Sequence, residues 1–156
     1  MKLWFPLAAS HIAALGAGFA AGVYALPILT APAAPEQALL EQAATTATFT
    51  ATFDRTLPGS DLFHWGEGTV SLSPTQITHM GRLAPGPDYK LYLVPDFVQD
   101  EAQFLALKDA SLRLGDIKTF DGFLLALPPG VDLAAYTTVL VWCEAFGQFI
   151  SAAKYR

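Results

Sequence analysis

At 156 residues, 53% of them hydrophobic, the chain has material for one domain and an appendage but not for a second domain, since domains commonly run to about 100–150 residues. Its formal charge of −5 comes with scattered single Lys and Arg residues, which excludes nucleic acid as a partner because phosphates demand a clustered basic face. A lone cysteine, Cys143, rules out an internal disulfide, and neither Cys-x-x-Cys-His nor a zinc-spaced Cys/His cluster occurs.

From Leu3 to Leu29 there is no Asp, Glu, Lys or Arg, a run long enough to cross a hydrocarbon core of about 30 Å. The competing reading is a cleaved signal peptide, for which Ala31-Pro32-Ala33 supplies a small-x-small site. The length of the run favours an uncleaved anchor over residues 1–29, because secretory apolar regions usually span about 7–15 residues. Lys2 is the only charge before the span, so the positive-inside rule predicts a cytoplasmic N-terminus and a body on the periplasmic or extracellular side. Signal cleavage would instead release a secreted protein. Ser10, Ala14, Gly18 and Gly22 recur every four residues and would let a second copy approach as a homodimer through the membrane helix.

Residues 30–44 combine two prolines with an Ala/Leu/Glu/Gln stretch and read as a spacer with one or two helical turns. The domain is expected over 45–156. Alternation of apolar and polar residues, or short apolar runs bounded by Gly, Pro, Asp or Ser, predicts strands at 46–53, 67–73, 76–82, 89–94, 111–114, 123–127, 137–144 and 148–155. Only 100–109 reads as helical. About eight short strands with turn chemistry between them predict an all-β protein, an antiparallel β-sandwich or barrel-like domain preceded by one N-terminal transmembrane helix. Ser73-Pro74-Thr75-Gln76 predicts a hairpin whose register sets Leu72 opposite Ile77, Val70 opposite His79 and Glu67 opposite Arg82. That register gives His79 a core-facing role and Glu67 an ion-pair partner.

Five segments in order carry a family likeness: His64-Trp65-Gly66-Glu67-Gly68, Gly86-Pro87-Asp88-Tyr89, Leu114-Gly115-Asp116-Ile117-Lys118, Leu127-Pro128-Pro129-Gly130 and Val141-Trp142-Cys143-Glu144-Ala145-Phe146. Together they resemble the DM-thirteen domain family. The resemblance implies a β-sandwich module of extracytoplasmic and membrane-associated proteins, sometimes joined to haem-binding DOMON domains, with an electron-transfer role around a characteristic cysteine. Here that residue is Cys143, and the resemblance makes haem or a metal ion the cofactor to consider and a redox partner protein the partner.

Cys143 sits in an apolar run expected to be an interior strand, where a free cysteine can act either as a small hydrophobe or as a ligand. Candidate cofactor-binding residues are Cys143 with its neighbours Trp142 and Glu144, and His64 with Trp65, because an imidazole in a Gly-flanked turn can reach a ligand and an indole can stack on one. A copper site from Cys143, His64, His79 and Met80 has the right donor types. It lacks the His and Met expected soon after the cysteine. No Gly-x-Ser-x-Gly, His-Glu-x-x-His or Gly-rich phosphate loop is present, so a stand-alone enzyme is not expected. The alternative to a redox accessory is a non-catalytic module whose loops at 58–66, 85–88 and 128–133 hold a partner protein or a glycan.

Overall fold

The computed structural model describes residues 4–156; Lys2, on which the expected orientation depends, lies outside the described residues. An apolar helix α1 (Trp4–Thr30) is followed by a short helix α2 (Gln37–Ala44) and then by strands β1 (Phe49–Phe53), β2 (Gly66–Leu72), β3 (Gln76–Leu83) and β4 (Tyr89–Val94). Helix α3 (Glu101–Leu107) runs into a 3₁₀ turn, and β5 (Leu112–Ile117), β6 (Phe123–Ala126), β7 (Thr138–Cys143) and β8 (Gln148–Lys154) complete the chain. The strands form two antiparallel four-stranded sheets, in the order β1-β2-β3-β6 and β5-β4-β7-β8. Beta1 approaches β8 at one edge and β5 approaches β6 at the other, so the sandwich is nearly closed and its edges are covered.

The β2–β3 hairpin has the predicted register: Leu72 faces Ile77, Val70 faces His79 and Glu67 faces Arg82. The ion pair, however, forms elsewhere. Glu67 pairs with Arg55 at 3.5 Å, while Arg82 turns to Asp121 at 3.5 Å. Other boundaries differ from expectation for local reasons. Beta1 starts at Phe49 because the Thr45 and Thr46 hydroxyls donate back to the carbonyls of Gln42 and Ala43, extending the end of α2. Beta5 runs through Gly115-Asp116 to Ile117, since Asp116 is held by Lys90 across the ladder at 2.9 Å and Gly115 lies beneath Leu125. Helix α2 packs its buried Leu40 and Ala43 onto the body, with Leu40 resting beside Gly122.

Every residue of β4 and β7 is buried, as expected for interior strands covered on both faces. Tyr89, Leu91 and Leu93 from β4, with Val139, Val141 and Cys143 from β7, face the other sheet and join the main core. The alternate residues Tyr92, Leu140 and Trp142 face outward, where Phe104 of α3 and Phe149 cover them in a second cluster. Asp100 caps α3 by accepting from the Gln103 amide at 2.9 Å, which fixes this cover. By contrast, no residue of α1 is buried. Trp4, Phe5, Leu15 and Phe19 are each more than two-thirds exposed, an apolar surface that calls for a bilayer or a partner. The helix has the length and composition of a membrane anchor or a signal segment.

Candidate functional site

Beta4 and β7 pair so that Tyr89 stands directly across from Cys143, and both side chains point between the sheets at the same end of the sandwich. The chain entering β4 closes on this pair. The Asp88 carbonyl accepts from the Glu144 amide at 3.0 Å, and a side chain at Gly86 would lie 2.4 Å from the Tyr89 ring, so only glycine lets the Gly86-Pro87 loop lie against the phenol. The loop after β1 brings in His64. Asp61 pins it: one carboxylate oxygen accepts from the amides of Phe63 and His64 at 2.7 and 2.8 Å, and the other meets His64 Nδ1 at 2.9 Å.

Cys143, His64 and Tyr89 line one cavity of about 490 Å³. Its far wall is helix α1, through Phe19, Ala20, Val23 and Tyr24, and the Tyr24 ring meets the Phe63 ring edge-on at 6.2 Å. No Asp, Glu, Lys or Arg lines it. Burial pushes the Cys143 thiol above its ordinary range; the amides of Phe146, Asp88 and Ala145 pull it back without overcoming the rise. The Tyr89 phenol is also pushed up, first by burial and then by the neighbouring thiol. Both groups are therefore neutral near pH 7. Burial works against ionisation of Asp61, but the hydrogen bonds from His64 and the Phe63 and His64 amides outweigh it and keep the carboxyl below its usual range. With Nδ1 bound to that carboxylate, Nε2 is the nitrogen His64 has left for a ligand.

The electron transfer DM13 family matches residues 52–155, nearly the whole β body. The chain belongs to the DM13 family. No curated protein and no solved structure was found to match it. The family's description gives the DM13 domain an electron-transfer-related role.

Of the residues singled out from the sequence, the fold brings Cys143 and His64 to one cavity and carries the others elsewhere. Trp142 lies on the opposite face of β7, fully buried against Phe104 at 4.9 Å between ring centroids. Glu144 also turns outward, accepting from Lys108 Nζ at 2.7 Å and from the Tyr92 hydroxyl. Trp65 is half-buried beneath the Arg55 guanidinium, 3.3 Å from its ring centroid. His79 is sealed in the core, with Nε2 donating to the Glu67 carbonyl at 2.9 Å, which separates it from the copper-type donor set. The sequence reading missed Tyr89 as a site residue, together with Phe63, Phe146 and the α1 wall. The cross-strand partner of Cys143 would have pointed to Tyr89, but about fifty residues separate β4 from β7 and no turn signal links them.

The donor set decides what fits. Among the described residues there is no group of three or more His, Cys, Asp or Glu placed to hold a metal ion; Cys143 and His64 alone do not make a closed site for a bare ion. Haem would bring two propionates into a lining with no Lys or Arg. An uncharged organic group suits this cavity better than an ion or an anionic cofactor.

Proposed function

We propose that this DM13 protein is a membrane-anchored, extracytoplasmic electron-transfer accessory whose redox-active group lies in the cavity shared by Cys143 and His64. The observation that carries this reading is the convergence itself: the one cysteine of this DM13 chain and a carboxylate-oriented histidine, distant in sequence, line one uncharged cavity. In this reading residues 1–29 are the anchor, 30–44 join it to the domain and 45–156 form the DM13 body. The group is held by Cys143 and oriented by His64; Trp142, Glu144 and Trp65 act through the strand and loop that position those two. A protein of the same compartment takes or supplies the electron. The stripe of Ser10, Ala14, Gly18 and Gly22 falls nearly opposite the cavity wall of α1, at about 100° of turn per residue, so a homodimer formed through it would leave the cavity open.

Spectroelectrochemical titration of the full chain, purified from membranes without added cofactor, tests the reading. The expected result is a bound redox couple in wild type that Cys143→Ala removes at least ten-fold while far-ultraviolet circular dichroism stays unchanged. His64→Ala should shift the midpoint or lower occupancy without the same loss. Wild-type protein without a bound couple, and equal electron flux through Cys143→Ala in native membranes, would overturn it.

A further inference from the structure

The cavity combines features that separately are unremarkable and together select a ligand. Its volume of about 490 Å³ lies within the span of about 300–1,000 Å³ common for small-molecule sites. Its walls are apolar on both sides, from Phe19 and Val23 of α1 to Phe146 and Ile150 of the body. Its polar groups are few and uncharged. Tyr89 is only 2% exposed as a residue and lines the cavity, and its hydroxyl makes no hydrogen bond to another described residue. A ligand acceptor placed in the cavity would satisfy it. Cys143, 3% exposed as a residue, brings a second weak donor on the neighbouring strand, and His64, its Nδ1 held by Asp61, lines the same cavity and keeps Nε2 to accept or donate.

Position narrows the class further. Trp4 and Tyr24 are separated by twenty residues of α1, about 30 Å at a rise of about 1.5 Å per residue, which matches the hydrocarbon thickness and sets one amphipathic aromatic at each interface. The cavity wall from Phe19 to Tyr24 then lies at the outer boundary of the bilayer. At the same end the body exposes Leu62, Phe63 and Phe146, at 80%, 57% and 52%, side chains suited to the headgroup region. A ligand reaching this cavity comes from the membrane.

We propose that the cavity between α1 and the open end of the sandwich binds the ring of a neutral membrane lipid of the quinone class, its tail leaving along α1 into the bilayer. A ring oxygen accepts from Tyr89 O–H and Cys143 S–H, and the oxygen para to it meets His64. The inference rests on the reading above that α1 stays in the membrane and that the cavity is the electron-transfer centre. It adds the identity of the group.

The test uses the full chain in phosphatidylcholine nanodiscs, a photoreactive benzoquinone with a decyl tail, and decylubiquinone as competitor. The expected result is saturable labelling of residues 19–24 or 85–89, competed by decylubiquinone. Tyr89→Phe should weaken binding about ten-fold, the effect of roughly one lost hydrogen bond. Ala20→Trp, which fills the cavity from a helix outside the folded core, should abolish it without changing the melting temperature. Labelling spread along α1, without competition or unaffected by both variants, means partition into lipid and overturns the proposal. A coloured group bound by wild type and lost in Cys143→Ala, with no competable labelling, overturns the quinone assignment while the electron-transfer reading stands. Recovery of the native protein from cells without its first thirty residues removes the α1 wall and overturns both.

Discussion

Replacing His79 by Phe should remove a pH-dependent share of the stability of this domain. The imidazole is fully buried, between Phe53 at 5.3 Å and Phe123 at 5.1 Å. Its Nε2 donates to the Glu67 carbonyl, and its Nδ1 is buried with no partner. The neutral ring therefore carries its proton on Nε2, and a second proton would place an unpaired cation in the core. Burial lowers its pKa from the ordinary 6.5, outweighing the Glu67 carbonyl, which acts in the opposite sense. The unfolded chain keeps the ordinary value, so below it the unfolded state binds a proton that the folded state refuses. Stability is then complete above about pH 6.5 and falls as pH drops through that value, by up to about 1.4 kcal/mol per unit, until the folded pKa is reached. A phenyl ring fits between two others but forfeits the hydrogen bond to the Glu67 carbonyl, an offset of about 1 kcal/mol at every pH. Urea denaturation of the full chain in detergent, followed by tryptophan fluorescence from pH 7.5 to 5.0, reads the difference. The gap between wild type and His79→Phe should narrow and then reverse as the pH falls below about 6.5, by at most about 2 kcal/mol over that range. Parallel curves would show that His79 takes up its proton inside the fold and that the burial argument is wrong.

Gly68 has φ +111°, and a Cβ there would lie 2.3 Å from the Met80 carbonyl oxygen; Gly68→Ala should cost about 3 kcal/mol or more from strain and clash together, measurable as a lowered urea midpoint with no change in slope. Glu144→Gln weakens the hold on Lys108 and Tyr92 and should cost about 1–2 kcal/mol near neutral pH. Burial of Glu144 acts to raise its pKa, but its bonds to Lys108 and Tyr92 win and leave it below the ordinary 4.5, so its contribution is present above that value and lost on acidification. The gap to wild type should therefore hold down to about pH 4.5 and narrow below it, and a constant gap down to about pH 3 would refute the ion-pair account.

The sandwich was legible because its signals are local. The Ser73–Gln76 turn fixes the β2–β3 register, and the apolar run of β7 declares an interior strand. The burial of Cys143 followed from the same run. What escaped was the pairing of distant segments. Nothing near Glu67 marks Arg55 as a better partner than Arg82, since the choice depends on how the loop after β1 folds back over Trp65. In the same way, the likeness to a DM13 domain drew attention to Cys143 and to neighbours close in sequence. A strand sends successive side chains to opposite faces, so Trp142 and Glu144, adjacent to Cys143 in the chain, turn their side chains away from it, while Tyr89 faces it across the ladder.

That alternation separates stability from chemistry along β7. The outward residues Leu140 and Trp142 belong to the cluster under α3, closed by the Lys108–Glu144–Tyr92 network. The inward residues lead through Val139 and Val141 to Cys143, where the core stops and the cavity begins. A thiol at the end of a packed row is held rigidly, with no rotamer freedom to lose on binding. Its burial keeps it protonated, which makes it a poor free nucleophile and a well-placed donor to a neutral group. An exposed redox cysteine would need a cationic neighbour to hold it as thiolate; the walls here are uncharged, so in the proposed site the sulfur acts as a neutral thiol toward its ligand.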